Sequence, residues 1–256
     1  MPTLLVVQHQ ADCPAALFGP WLVEGGVELD VRRVDDPSVR LPTLEGYAGV
    51  LVLGGSPGAT DDEVAPWLPA VRALVREAAE RGLPTLGICL GHQLAAVALG
   101  GAVARNPNGQ TVGVTPVGWT DAAATDPLFA AIVAARPEAV AVHWNNDVVT
   151  ALPPEAVVLA RTPGGEVQAA RLAPSVWGVQ LHPEADRPVV AAWAASDAAT
   201  HAARGLDQGA LLDAVEGAHA QLAATWRVLA EGFARLVRTA PVPGDGRREA
   251  PLSEAS

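Results

Sequence analysis

Residues 87–93 read Gly-Ile-Cys-Leu-Gly-His-Gln, and this stretch decides how the chain is interpreted. A strand-like apolar run, residues 83–86, precedes it, and a helix-like apolar run, residues 94–99, follows it. This order predicts a tight strand-to-helix turn at Cys89, whose backbone geometry the neighbouring glycines allow. The positive end of a helix favours a thiolate over a thiol, so we predict that Cys89 is a nucleophile. Taken alone, Cys89 would be better interpreted as a buried cysteine at the start of a packed helix.

The second motif is Leu-His-Pro-Glu at residues 181–184, in which His182 follows Cys89 by 93 positions (182 − 89). We interpret this segment as an extended strand, in which alternate residues share a face. Glu184 would then orient His182, and His182 would act as the base for the thiol of Cys89. For an isolated His-Glu pair, the alternative is a surface contact.

The two motifs together closely resemble those of the class I, triad-type glutamine amidotransferases, and the resemblance runs from about Leu4 to Glu184. It implies a flavodoxin-like α/β fold and attack by Cys89 on the side-chain amide of L-glutamine, which yields glutamate and ammonia. His182 would protonate the leaving nitrogen and later activate water, while Glu184 would hold the imidazole in the working tautomer. The resemblance implies no cofactor.

The resemblance also implies backbone donors for the oxyanion of the tetrahedral intermediate. These donors are the N–H groups of Leu90, directly after the nucleophile, and of Gly55, in the glycine pair after the third strand. Many family members carry proline directly after that pair, whereas this chain has Ser56, which puts the path of the loop in question. Gly54 and Gln93 are assigned to substrate binding. The alternatives are an ordinary glycine turn and an exposed helix residue.

A polar segment follows a predicted strand at residues 143–147. In similar amidotransferase domains a histidine-containing turn at this place lies beside the glutamine pocket, so His143, Trp144 and Asn145 are assigned to the pocket lining. The alternative is a strand-end turn with an Asx motif. His92 is expected to pack or to meet solvent, and Cys13 is expected to be inert.

Composition excludes several classes of function. The net charge of −11 argues against nonspecific binding to nucleic acid or to anionic membranes. All 17 basic residues are arginine, which excludes a Schiff-base lysine, a lysine nucleophile and a P-loop. No Cys/His cluster has metal-ligand spacing, and no dinucleotide fingerprint follows the first strand. We therefore expect neither a metal nor a cofactor.

The surroundings of the protein are predicted from what the sequence lacks. Two cysteines do not make a disulfide framework, and no secretory signal is recognisable at the start. No apolar run approaches the length of a transmembrane helix. We expect a reduced, cytoplasmic setting without a membrane, which suits a thiolate nucleophile.

Strand-like apolar runs alternate with helix-like segments in the first hundred residues, and the helices are predicted over 15–24, 64–82 and 94–99. This alternation is typical of an α/β fold with a mainly parallel sheet and helices on its faces. Short strand-like pieces separated by Pro and Gly turns follow between residues 102 and 181. They predict a small antiparallel extension of the sheet.

The C-terminal part is predicted to be helical over residues 189–203 and 211–237. The second helix carries an apolar stripe of Leu222, Trp226, Leu229, Phe233 and Leu236. This stripe is expected to pack on the parent domain; the alternative is a partner-binding face, which permits a homodimer. We thus divide the chain into an amidotransferase domain (1–190), a helical extension (191–240) and a disordered tail (241–256).

Three functions remain open from the sequence. The first is a glutaminase or amidotransferase that uses L-glutamine and passes ammonia to a separate acceptor protein or to a small-molecule acceptor. The second is a γ-glutamyl hydrolase or peptidase acting on a larger γ-glutamyl amide. The third is a noncatalytic regulatory subunit with the same fold.

Overall fold

The structure is a computed structural model, and it describes residues 1–240. The tail predicted at residues 241–256 lies outside the described residues. Eleven strands are present in this range: β1 (Thr3–Gln8), β2 (Glu28–Arg33), β3 (Tyr47–Val52), β4 (Thr85–Ile88), β5 (Ala102–Arg105), β6 (Thr111–Pro116), β7 (Val140–Asn145), β8 (Asp147–Ala151), β9 (Val157–Arg161), β10 (Val167–Ala173) and β11 (Val176–Val179).

Seven α-helices and one 3-10 helix complete the described part of the chain. The α-helices are α1 (Phe18–Glu24), α2 (Leu68–Glu80), α3 (Leu90–Ala98), α4 (Ala130–Ala135), α5 (Arg187–Ser196), α6 (Ala198–Ala203) and α7 (Gln208–Thr239). The 3-10 helix covers Asp121–Thr125. No helix within residues 1–240 is both long and apolar enough to cross a membrane.

The central sheet has seven strands in the order β2-β1-β3-β4-β11-β10-β9. The first five run parallel to their neighbours, and β10 and β9 add an antiparallel edge. Two small antiparallel pairs, β5 with β8 and β6 with β7, lie outside this sheet. The predicted α/β fold with a mainly parallel sheet and an antiparallel extension is confirmed.

The sheet separates two apolar layers, as the alternation of β1 shows. Leu4 and Val6 point into one core cluster, which also holds α1 and most of the buried face of α7. Leu5 and Val7 point into the other, which holds α2 and α3. Since successive strand residues face opposite sides, a continuous apolar strand is what a sheet covered on both faces requires.

The apolar stripe of α7 lies in the first of these layers. Trp226, Leu229 and Phe233 are at most 1% exposed, and the helix packs against α1, α4 and α5. The stripe therefore packs on the parent domain, as expected, and its buried residues do not form an exposed partner-binding face. The division of domains at residue 190 stays a prediction, and this position falls inside α5.

Several element boundaries differ from those predicted. The helix predicted from residue 64 begins at Leu68, because Pro69 suits the first turn of a helix better than its interior. The single helix predicted over 189–203 is two helices, α5 and α6, which meet at Asp197. The short elements β8 and α4 were not predicted.

Candidate active site

Cys89 stands at the turn between β4 and α3 with a backbone φ of 51° and ψ of −105°. A residue with a side chain rarely adopts a positive φ, and holding one there costs about 1–3 kcal/mol. The neighbouring glycines make the turn possible: a Cβ on Gly87 would lie 2.4 Å from the carbonyl oxygen of Gly91, and a Cβ on Gly91 would lie 2.0 Å from that of Val52. The predicted strand-to-helix turn is confirmed.

The sheet topology brings the second motif beside this turn. β11 pairs in parallel with β4, and the Cys89 N–H donates to the carbonyl oxygen of Val179 at 2.8 Å. The residues that follow β11 therefore lie next to Cys89 at the carboxyl edge of the sheet, where ligands of open α/β sheets bind.

His182 and Glu184 are in direct contact, with 2.8 Å between His182 Nδ1 and Glu184 Oε1. Their side chains are only 4% and 3% exposed. The extended-strand interpretation of this segment was wrong: β11 ends at Val179, His182 forms an isolated bridge to Val142, and Pro183 and Glu184 form a turn. The turn, rather than the alternation of a strand, brings the carboxylate back to the imidazole.

Gly54 lies where the two motifs approach each other. A Cβ at this position would be 3.2 Å from Cε1 of His182 and 3.6 Å from Cβ of Cys89. A side chain here would therefore press on the imidazole and adjoin the cysteine at the same time. The glycine leaves the approach of His182 to Cys89 open.

The electrostatics of His182 differ from those of the other buried histidines. Burial opposes its charge, but the charges of Glu184 and Cys89, together with hydrogen bonds to both, raise the pKa of His182 to about 10. Burial instead lowers the pKa of His9, His92 and His143 to about 4 each, and the charge of His182 adds to the effect at His143. Near neutral pH, His182 thus holds a proton while the other three are neutral.

The two predicted oxyanion donors belong to segments in close contact. A Cβ on Gly55 would lie 2.9 Å from Cδ2 of Leu90 and 2.9 Å from Cβ of His9, so only glycine fits between them. The loop continues into Ser56, whose N–H donates to Oε1 of Gln10 at 2.8 Å. Proline at this position would have no N–H to donate. Ser56, where many family members have proline, therefore makes a backbone hydrogen bond to Gln10 that proline could not make.

A cleft of about 520 Å³ opens above Cys89 and His182. Of the residues assigned to substrate binding and to the oxyanion, Gly55, Gln93, Trp144 and Asn145 line this cleft. Leu90, His143 and Gly54 are not among the lining residues. Leu90 is fully buried at the start of α3, His143 is fully buried within β7, and Gly54 lies between the two motifs. The segment around His143 is strand, not the turn that the sequence suggested, because it pairs with β6.

Gln93 and Gln180 form an amide pair below Cys89. Nε2 of Gln93 donates to Oε1 of Gln180 at 3.1 Å and to the carbonyl oxygen of Asp147 at 3.0 Å. Nε2 of Gln180 in turn lies 3.5 Å from Sγ of Cys89. Sequence reasoning missed Gln180, although its place two residues before His182 was a signal.

The rest of the cleft was not predicted. Its wall includes Asp12 and Cys13 after β1, and Trp193, Ser196 and Asp197 from the C-terminal helices. Burial and the negative charge of Asp12 raise the pKa of the Cys13 thiol, which keeps it protonated. Within residues 1–240, no group of three or more His, Cys, Asp or Glu side chains is arranged to hold a metal ion.

His92, which the sequence left between packing and solvent contact, is fully buried under β11. A Cβ on Gly178 would lie 2.1 Å from its Nδ1, so the glycine makes room for the imidazole. His92 therefore packs in the interior, as one of the two alternatives predicted, and does not meet solvent.

Comparison with known proteins supports the assignment of the fold. The family model described as "Glutamine amidotransferase class-I" matches residues 21–188. The chain therefore belongs to the class I glutamine amidotransferase family. A crystal structure of a glutamine amidotransferase from Thermotoga maritima has the same fold, with a TM-score of 0.80 over 93% of this chain and 99% of that one, at 24% identity.

Three curated relatives illustrate the range of the family. The glutamine amidotransferase-like protein YfeJ of Salmonella typhimurium is 31% identical over 70% of this chain and 74% of its own. A glutamine-hydrolyzing GMP synthase of Aeropyrum pernix is 38% identical over 72% of this chain, which spans only 33% of that enzyme. Gamma-glutamyl peptidase 4 of Arabidopsis thaliana is 30% identical over 62% of each chain.

Proposed function

We propose that this protein hydrolyses the side-chain amide of L-glutamine to glutamate and ammonia through a thioester on Cys89. The observation that carries the proposal is the convergence of Cys89, on its strained turn, with the buried His182–Glu184 pair across Gly54. A nucleophile, an acid-base group and a carboxylate that orients it are the parts that acyl transfer needs.

In the first half-reaction, Sγ of Cys89 attacks the amide carbon of the substrate. The N–H groups of Gly55 and Leu90 would donate hydrogen bonds to the developing oxyanion. As the C–N bond breaks, His182 gives its proton to the leaving nitrogen, which departs as ammonia. The raised pKa of His182 supports this role, because the proton is in place at neutral pH.

In the second half-reaction, the sulfur is a neutral thioester, and His182 has lost its proton. The imidazole can then take a proton from water as the hydroxyl adds to the thioester carbon. Collapse of this intermediate breaks the C–S bond, releases glutamate and restores the charged pair. The contact with Glu184 would keep Nε2 directed at the reacting atoms throughout.

One positive and one negative side chain at the rim of the cleft could bind the α-carboxylate and α-ammonium groups of glutamine. Arg105 Nη1 lies 3.2 Å from Oδ1 of Asp147, and both residues line the cleft. The α-carboxylate and α-ammonium of a free amino acid carry the complementary charges. Together with Gln93 and Asn145, this pair would distinguish glutamine from a simple amide.

A second candidate is hydrolysis of a larger γ-glutamyl amide by the same chemistry, with an amine in place of ammonia. The extent of the cleft favours it, since Trp193, Ser196 and Asp197 line space beyond Cys89 and His182. A relative named gamma-glutamyl peptidase also lies within the range of similarity. If the ammonia is used in a further reaction, a separate acceptor would receive it. The similarity to a glutamine-hydrolyzing GMP synthase supports a connection between glutamine hydrolysis and a synthase reaction.

Covalent labelling tests the proposed nucleophile. A chloromethyl ketone analogue of glutamine should alkylate one cysteine, and peptide mass spectrometry should place the label on Cys89. Cys13→Ser is the matched control, because Cys13 lines the same cleft as a protonated thiol; this variant should still be labelled, and Cys89→Ser should not. Labelling of Cys13 alone, or labelling of Cys89 that L-glutamine does not slow, would contradict the proposal and favour the noncatalytic alternative.

A further inference from the structure

The position of His182 defines one side of the cleft as the place of the leaving group. The imidazole must reach the leaving nitrogen to protonate it. Its ring packs against that of Trp193, with centroids 4.5 Å apart. A group attached to the leaving nitrogen would therefore lie close to Trp193.

The surface in that direction is aromatic and acidic. Trp144 lies beside Trp193, with ring centroids 6.1 Å apart, and both line the cleft. Nε1 of Trp144 donates to Oδ2 of Asp197 at 2.9 Å, which holds the carboxylate at the cleft wall. Trp193 and Asp197 lie after residue 188, outside the part of the chain that the family model matches. An ammonia molecule would need none of these groups.

The charge of the cleft is strongly one-sided. Four aspartates line it, Asp12, Asp61, Asp147 and Asp197. The positive groups of the lining are Arg105, which pairs with Asp147, and His182, whose charge is matched by Glu184. In the described part of the chain, Asp12 and Asp61 have no ion pair, and the nearest basic group to Asp197 is His201 at 3.9 Å. L-Glutamine has no net charge and does not balance this excess of carboxylates.

A buried acceptor that has no donor among the described residues belongs to one of the residues that line the same cleft. Asn145 is 3% exposed and lines the cleft, and its Nδ2 donates to the carbonyl oxygen of Asp147. Its Oδ1 has no partner among residues 1–240. A buried acceptor without a donor is costly, so this atom points to a ligand that brings N–H groups.

We propose that the wall formed by Trp144, Trp193 and Asp197 binds an organic ammonium group, and that the cleft accepts γ-glutamyl amides whose leaving amine carries a second, cationic nitrogen. Tryptophan faces attract cations, and carboxylates beside them add charge complementarity. The inference deepens the proposed acyl transfer at Cys89 and rests on it. The C–N bond breaks, the diamine leaves with the proton of His182, and water hydrolyses the thioester.

Two substrates of matched shape test this inference. γ-Glutamylputrescine ends in an ammonium, and γ-glutamyl-n-pentylamide has a methyl group in the same place. We expect kcat/KM of the native protein to be about 10-fold higher for the cationic amide. Asp197→Asn and, separately, Asp12→Asn should reduce this ratio, since each removes a charge but keeps the size of the side chain. Asp213→Asn, at an exposed position on α7, makes the same change in net charge and should keep the ratio.

A binding measurement separates failure of this inference from failure of the proposed function. By calorimetry, Cys89→Ala should bind the cationic amide about 10-fold more tightly than the neutral one, whether or not the native protein turns either over. Equal turnover of the two amides would overturn the ammonium site and leave the acyl transfer standing. Equal binding to Cys89→Ala would overturn it as well. A preference in binding without any Cys89-dependent turnover would support the ammonium site and contradict the proposed function.

Discussion

The side chain of Gln10 holds Ser56 by both its backbone and its hydroxyl group. Oε1 of Gln10 accepts from the Ser56 N–H at 2.8 Å, and Nε2 lies 3.0 Å from Oγ of Ser56. This links the segment after β1 to the loop after β3, in which Gly55 precedes Ser56. The position of the Gly55 N–H, a proposed oxyanion donor, therefore depends on a contact from the segment that follows the neighbouring strand β1.

Ser56→Pro should lower kcat by about 10-fold or more, because it removes the N–H that anchors the loop and lets the oxyanion donor shift. Ser56→Ala is the matched control: it keeps the N–H and loses only the hydroxyl contact, so it should lose less activity. Steady-state glutaminase assays of the two variants compare these effects. A proline variant as active as the alanine variant would show that the anchor does not position the loop.

Gly54→Ala should reduce activity about 100-fold, because its Cβ would press on Cε1 of His182 at 3.2 Å and move the imidazole from Cys89. KM should change less than kcat, because the change falls on the reacting groups. The comparison variant is Gly58→Ala in the same cleft, where a Cβ would meet only the exposed carboxylate of Asp61. Full activity of Gly54→Ala would mean that the two motifs do not act together.

The pH dependence should report the charge of His182. Its pKa of about 10 predicts that kcat/KM falls as pH rises through that value and the acid is lost. Glu184→Gln removes a charge that raises this pKa, so the basic limb should move to lower pH. pH-rate profiles of the native protein and of this variant give the position of the basic limb in each. An unmoved limb would show that Glu184 does not set the protonation of His182.

The same shift has a consequence for stability. A histidine whose folded pKa is raised from 6.5 to about 10 contributes stability that is complete below pH 6.5 and is lost as pH rises through about 10. The free energy of unfolding of the native protein should therefore fall more between pH 6.5 and 10 than that of His182→Gln. Urea unfolding at several pH values measures this, and parallel pH curves would contradict the assignment.

Cys89→Gly should be more stable than Cys89→Ala by about 1 kcal/mol. Both variants lack the thiol, but glycine relieves the cost of a side chain at φ 51°, and this gain outweighs its greater freedom when unfolded. Chemical denaturation of the two inactive proteins gives the difference directly. Equal stability would show that the turn stores no strain.

The sequence predicts the turn at Cys89 well because its cause is local: glycines on both sides permit the close backbone contacts that the turn requires. It predicts the contact between His182 and Glu184 for the wrong reason, since a turn and not a strand joins them. The proline between the two residues was the signal against an uninterrupted strand.

The cleft wall lies beyond what sequence reasoning can reach. Nε1 of Trp193 donates to the carbonyl oxygen of Asp12, a residue 181 positions earlier, and no periodic pattern connects the two. Asp197 likewise reads as an ordinary residue within a predicted helix, and only the break between α5 and α6 turns it toward Trp144. Contacts of this kind depend on how whole helices pack on the sheet.

The most direct test of the proposed acyl transfer is the steady-state release of glutamate and ammonia from L-glutamine by the purified protein. We expect equimolar products, no turnover in Cys89→Ala, a loss of about 10³-fold or more in His182→Ala, and a smaller loss in Glu184→Gln. Each variant should keep the far-ultraviolet circular dichroism spectrum of the native fold. Substantial activity in Cys89→Ala or His182→Ala would contradict the central claim that these two residues act as nucleophile and acid-base group.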